Sequence, residues 1–213
     1  MACMAVKDYF QNALSNFTHE VASGGAIRHL AEPGYTVKQI TEKPAKAAGG
    51  VNMEIRHTTM DDIPEILAMY QHARKIMAEN GNPNQWNPLY PGREDVLEDI
   101  AAGNSYICEE NGEAVGTFAF IVGEDPTYSY IEDGAWCRND TYGTIHRLAS
   151  NGKAKGVAAA CFEFCRKKLP HLRADTHEDN RIMQHVLEHF GFRRCGIIYV
   201  RNQCPRIAYE YVE

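Results

Sequence analysis

No stretch of this 213-residue chain approaches the roughly eighteen uninterrupted apolar residues that a bilayer-spanning helix needs. Its start, M-A-C-M-A-V-K-D-Y-F, lacks the basic region and apolar core of a secretory leader, so neither a membrane span nor a leader is expected. Basic charge is also scarce: 22 Lys and Arg stand against 28 Asp and Glu, a formal net charge of -6. Broad attachment to nucleic acid or acidic membranes depends on clustered Lys and Arg, so neither partner is expected. The seven cysteines are odd in number and scattered, at Cys3, Cys108, Cys137, Cys195 and Cys204, apart from the pair Cys161 and Cys165. That is not a secreted disulfide framework, and a reducing cytoplasm is the expected compartment. What is present is ordinary globular material, 44% hydrophobic and 23% charged. The length allows one substantial domain with a small appendage, or two small domains.

Pro, paired Gly and small residues in E-K-P-A-K-A-A-G-G-V-N mark a linker over 43–52. Before it, Val6, Phe10, Leu14, Phe17 and Val21 recur at helical spacing, and shorter helical patterns follow around Ile27 and Thr36, so 1–42 reads as a small all-α segment. After it, M-E-I-R-H-T-T alternates as a strand, Asp61-Asp62 caps a helix through Ile63, Ile66, Leu67, Tyr70 and Ile76, and a turn-rich loop leads to a second helix over Arg93 to Ala102. S-Y-I-C-E-E, Asn111-Gly112 and A-V-G-T-F-A-F-I-V predict an antiparallel hairpin. G-T-I-H-R-L-A, a helix from about Gly156 to Lys168, the strand L-R-A-D-T, a helix from Asn180 to Phe190 and two final strands complete 53–213. This order does not repeat regularly enough for a barrel or a doubly wound sheet, and predicts an α/β (α+β) mixed sheet with helices on both faces.

The strongest local chemistry lies in R-L-A-S-N-G-K-A-K-G-V-A-A-A-C-F, where a strand runs through a small-residue turn into a helix. The first turn of a helix carries free backbone N–H groups and about half a positive charge, which suits a pyrophosphate. Gly156 permits close approach to the backbone, and Lys153 and Lys155 add charge; a plain strand-to-helix turn is the alternative. At this point the sequence resembles the GNAT superfamily of acyl-coenzyme A-dependent N-acyltransferases. Lys153-Ala154-Lys155-Gly156-Val157-Ala158 matches that family's (Gln/Arg)-x-x-Gly-x-(Gly/Ala) loop with Lys first, and D-T-H-E-D-N-R-I-M-Q-H-V-L-E-H-F-G-F resembles its fifth strand and fourth helix. The likeness covers roughly Met53 to Glu213.

The resemblance implies a GNAT-like, mainly antiparallel sheet and acetyl-CoA as co-substrate, with a small-molecule or peptide amine as acceptor. Leu148, Ala149 and Ser150 would offer backbone groups to the pantetheine arm, Lys153 to Ala158 would cradle the pyrophosphate, and Asn180 would reach the pantetheine. Two departures stand out. The turn between Ser150 and Lys153 is shorter than usual, and Leu187 occupies the place, seven residues after that Asn, where many members carry a Tyr general acid.

Direct transfer needs a neutral amine, and holding an alkyl ammonium of pKa near 10.4 deprotonated at pH 7 costs roughly 4 to 5 kcal/mol. His146 is the first candidate base, since its kind titrates nearest neutrality; a structural sheet histidine, or a water chain to Glu132 or Asp133, is the alternative. Tyr142 and Tyr199 are the candidate acids, with an oriented water as the other option. Trp86, Tyr90 and Trp136 are candidates for the acceptor pocket, with loop anchoring the competing role. His185 and His189, four apart and near His177 and Cys195 in sequence, have a spacing that can grip zinc, but they border the apolar set Met183, Val186, Leu187 and Phe190 and no metal is expected. Cys161 and Cys165 are expected as core thiols. For the N-terminal segment, packing or homodimerisation is expected ahead of DNA reading, given its few basic residues. A regulatory protein that binds acyl-CoA without turnover is the rival function.

Overall fold

A computed structural model describes residues 53–200 and 203–213. The helical unit expected over 1–42 and the linker over 43–52 lie outside the described residues. Strand β1 (Met53–His57) leads through a 3-10 turn into α1 (Ile63–Glu79). The Asp62 carboxylate accepts the Thr59 N–H at 2.7 Å, and Pro64 sits in the first turn, where its missing N–H costs nothing. Ile63, Ile66, Met69 and Tyr70, three or four apart, form the buried stripe of α1. Helix α2 (Arg93–Ala101) begins with Asp95 accepting the Gly92 N–H at 2.8 Å. Strands β2 (Ser105–Glu110) and β3 (Glu113–Val122) meet at Asn111-Gly112, both at positive φ, the turn whose twist suits a tight hairpin. Then follow β4 (Gly143–Ser150), α3 (Val157–Lys168), β5 (His171–Thr176), α4 (Arg181–His189), β6 (Arg193–Val200) and β7 (Cys204–Val212).

The seven strands form one mixed sheet in the order β1-β2-β3-β4-β5-β7-β6, antiparallel at every pairing except β4 with β5. On one face α3 and α4 cover a core that includes Phe118, Ile145, Phe162, Leu172, Leu187 and Tyr209. Cys161 and Cys165 are both fully buried within it. On the other face α1 and α2 bury Ile66, Met69, Tyr70 and Val96 against Ile107 and Ala149. The rest of that face, over β5 to β7, is covered by the β3–β4 connection, which packs Tyr128, Ile131, Trp136 and Tyr142 onto Ile198 and Ala208. The expected order of elements is thus observed, with helices on both faces.

Candidate functional site

The site arises from how β4 pairs on its two sides. Toward β3, Thr117 opposes Ala149 while Ala119 opposes His146, so β4 carries one extra residue there, and Arg147 sits at φ 55° in the resulting bulge. Toward β5, parallel pairing exists only at Gly143 with Leu172 and Thr144 with Arg173. Beyond Thr144 the strands diverge, and a cleft of about 720 Å³ opens between them, a size that accommodates an extended ligand. Its walls include Ile145 to Ser150 of β4, Ala174 and Asp175 of β5, and Phe162, Met183 and Leu187 from the α3 and α4 face. The bulge is braced from α2: the Arg147 guanidinium grips the Asp99 carboxylate with bonds of 2.6 to 3.1 Å, both side chains being largely buried. Burial raises the Asp99 carboxyl above its ordinary value, against the opposing pull of Arg147.

His146 points from β4 into this cleft. Its Nε2 lies 3.0 Å from Asp125 Oδ2, and its Nδ1 lies 4.0 Å from Asp175 Oδ1. Asp125 is itself held, accepting the backbone N–H and the hydroxyl of Thr127 at 2.8 and 2.7 Å. Burial pushes its carboxyl up, but the bonds from His146 and Thr127 outweigh burial and hold it at about 2. An ionised Asp125 can only accept, so the proton of a neutral imidazole belongs on Nε2 and the lone pair on Nδ1. On the far side, Asp175 accepts the Tyr128 hydroxyl at 2.7 Å and lies 3.8 Å from the Arg206 guanidinium. Burial drives the Tyr128 hydroxyl well above its usual range, so it stays a donor.

The turn after β4 runs from Ser150, in the cleft wall, to α3. The Asn151 side chain accepts the Lys153 N–H at 3.0 Å and donates to the Ala114 carbonyl at 2.9 Å, fixing the turn's first half. Gly156 precedes α3 at φ 80°, a left-handed conformation, and a Cβ built there would meet nothing within 4 Å. The space ahead of the helix N-terminus is therefore open. Lys153 and Lys155 are exposed, with the Lys153 ammonium 3.9 Å from Glu113. The features fit a pyrophosphate with its pantetheine arm: a helix start with free N–H groups, a glycine with no Cβ in the way, and a β4 edge released from pairing after Thr144.

Several candidate residues lie elsewhere than expected. Tyr142 does not line the cleft; its hydroxyl accepts the Asp125 N–H at 2.9 Å and its ring faces Arg173 at 3.9 Å, so its hydroxyl reaches the site through Asp125. Tyr199 donates to Glu132 at 2.6 Å and lines a second hollow, where the Tyr199 and Tyr130 hydroxyls lower the Glu132 carboxyl. Asp133 is exposed in the same loop. Trp136 stacks on Tyr128 at 5.4 Å and packs beside Arg173, outside the cleft lining, because it closes the apolar layer beneath the β3–β4 connection. Trp86 and Tyr90 do line the cleft, and Trp86 also anchors its loop edge-on to Tyr70. Asn180 lines it too, but its Oδ1 caps α4 at Met183 and its Nδ2 donates to Gln85 at 2.8 Å. His177 pairs with Asp179, and Cys195 sits with Cys137 and Glu210 rather than with the histidines of α4.

Four contributors escaped the sequence reading: Asp125, Asp175, Arg206 and Gln85. Gln85 gathers Asn82, Asn180, Thr176 and the His177 N–H on one side-chain oxygen, while its carbonyl accepts from Arg206. Only Asp125 left a local trace: D-P-T is an Asx-turn pattern, which predicts its bonds to Thr127 but not its bond to His146.

The model of the Acetyltransferase (GNAT) family matches residues 66–192. Among solved structures, a GNAT-family acetyltransferase from Streptococcus agalactiae 2603 is 30% identical, with a TM-score of 0.69 over 76% of this chain and 95% of its own. A GNAT-family acetyltransferase from Listeria monocytogenes 4b F2365 shares the fold at 20% identity, with a TM-score of 0.57 over 77% and 96%. No curated protein matches.

Proposed function

Since this chain belongs to the GNAT acetyltransferase family and is an acyltransferase, we propose that it acetylates an amine of a small molecule or peptide, by direct attack in a ternary complex. The observation that carries this reading is the His146–Asp125 pair placed in the cleft where β4 leaves β5. Acetyl-CoA, when bound, supplies a thioester whose thiolate is a tolerable leaving group. The chain's residues then have separable tasks. The edge at Leu148, Ala149 and Ser150 takes the pantetheine amides. The turn from Lys153 to Ala158 takes the pyrophosphate on the N–H groups of α3. Asn180 contributes by capping α4 and joining it to Gln85, which holds the cleft's far wall.

His146 is the base. With Nε2–H held by Asp125, Nδ1 receives the proton that the acceptor must lose, and the Asp125 carboxylate stabilises the imidazolium so formed. Carboxylates of Glu124, Asp125 and Asp175 in the lining favour an acceptor that arrives as a cation. Trp86 and Tyr90 form the wall on the α1–α2 loop side.

One observation favours the rival reading of a regulator that binds acyl-CoA without turnover. Leu187, at the place of the usual tyrosine, is buried at 1% exposure and cannot protonate a leaving thiolate, while Tyr142 and Tyr199 lie outside the cleft lining with their hydroxyls bonded to the Asp125 N–H and to Glu132. Thiol release from acetyl-CoA across a panel of amines separates the two. Amine-dependent release that disappears in His146→Ala supports the enzyme; tight coenzyme binding with no release for any amine defeats it.

A further inference from the structure

The β3–β4 connection is clamped to β6 by its backbone. Glu132 and Ile197 exchange two N–H···O bonds of 2.8 Å, and the Ala135 N–H donates to the Cys195 carbonyl at 3.0 Å. The approach is so close that it needs glycine: a Cβ on Gly134 would lie 1.8 Å from the Cys195 carbonyl oxygen. Two residues beyond Ala135, the chain delivers Cys137 beside Cys195. Their two sulfurs and a Glu210 carboxylate oxygen all lie within 4.8 Å of one another, with Cys195 Sγ 3.9 Å from Glu210 Oε2. Glu210 is fully buried, and its orientation is fixed. His171 Nε2 at 2.8 Å and Arg173 Nε at 3.0 Å hold Oε1, and the Cys137 N–H donates to Oε2, which leaves Oε2 turned toward the sulfurs.

We propose that Cys137, Cys195 and Glu210 form a binding site for a thiophilic divalent cation, zinc(II), distinct from the acetyl-transfer cleft. Ligand edges around tetrahedral zinc are roughly 3.4 to 3.8 Å, given Zn–S near 2.3 Å and Zn–O near 2.0 Å, so the Cys195–Glu210 edge of 3.9 Å is already close to that length, and with all three atoms within 4.8 Å the others close on the ion by shifts of at most about 1 Å. Two sulfurs and one carboxylate are also a donor set that prefers zinc to magnesium or calcium. Charge closes as well. Two thiolates and Glu210 carry three negative charges, zinc two positive and Arg173 one, while the two thiol protons leave to solvent. Cys137 is exposed and provides the entry path. Backbone bonds, not the ion, bring the ligands together, so the site is formed before the ion arrives. Its occupation ties the β3–β4 connection, which carries Asp125, more firmly to β6 and β7.

Cobalt(II) titration of the reduced full chain tests the site directly, since thiolate-to-cobalt charge transfer absorbs where the protein alone does not. The expected result is a charge-transfer band saturating at one equivalent, displaced by zinc(II), and lost in both Cys137→Ser and Cys195→Ser. Cys137→Ser is the decisive variant because its exposed position leaves the core untouched, and its folding is checked by circular dichroism. Absence of the band in the wild type overturns the proposal. So does a band that survives in folded Cys137→Ser, or an intact mass showing Cys137 and Cys195 joined as a disulfide in protein kept under reductant.

Discussion

Replacing Asp125 with Asn removes a charge while keeping the shape that Thr127 holds. The amide oxygen still accepts from the Thr127 N–H and hydroxyl, so the turn survives, but the anion 3.0 Å from His146 Nε2 is gone. A hydrogen bond to a charged partner contributes about 1.5 to 3 kcal/mol, and this one strengthens as the imidazole takes up the acceptor's proton. At about 1.4 kcal/mol per decade, kcat/KM for the amine falls roughly 10- to 150-fold. Affinity for coenzyme A, measured by isothermal titration, stays within about twofold, because the Asp125 side chain serves His146 and Thr127 and makes no bond to the Gly156 turn. Stability gives a second reading. The Asp125 carboxyl is held at about 2 against an ordinary 3.8, which corresponds to about 2 kcal/mol. Its native pKa lies below its unfolded one, so this stabilisation is complete above about pH 4 and is lost as pH falls through about 2. Asp125→Asn therefore melts roughly 4 to 8 °C below wild type at neutral pH, and the gap closes toward pH 2. Wild-type turnover in the variant, or a melting gap that persists unchanged into acid, would refute the role given to this carboxylate.

Gly156→Trp fills the open space ahead of α3 and forces a side chain onto a residue at φ 80°, a strain of roughly 1 to 2 kcal/mol. The variant should stay folded by circular dichroism while coenzyme A affinity drops at least tenfold; unchanged affinity removes the pyrophosphate from this turn. Arg147→Met leaves Asp99 buried without its cation and should destabilise by about 3 to 5 kcal/mol in urea unfolding, where a loss under about 1 kcal/mol would contradict the brace. Tyr199→Phe should keep kcat within about twofold, since its hydroxyl serves Glu132 outside the cleft. Tyr142→Phe should cost about 1 kcal/mol of stability through the Asp125 N–H.

Much of the fold was legible because it is local. The stripe through Ile63, Ile66 and Tyr70, the Asn111-Gly112 hairpin and the strand-turn-helix at Gly156 each depend on residues a few positions apart, and each is observed. The site was legible in part. His146, Trp86, Tyr90 and the run from Leu148 to Ser150 do meet in one cleft. Trp136, Tyr142 and Tyr199 have the right chemistry for a site but lie outside its lining: no periodicity in the irregular 123–142 stretch could have shown which way Trp136 and Tyr142 turn, and Tyr199, on β6, turns to Glu132, a partner 67 positions away.

The residues that complete the site come from far along the chain: Asp125 meets His146 across 21 positions and Gln85 meets Asn180 across 95. The sequence by itself determined the order of elements and the strand-turn-helix at Gly156, because hydrophobic period, turn chemistry and glycine's access to positive φ act over a few residues. Only the tertiary structure decided that a cleft exists and which side chains enter it. Its opening depends on β4 gaining a bulge against β3 while losing β5 after Thr144, a competition between two neighbours that neither strand encodes alone.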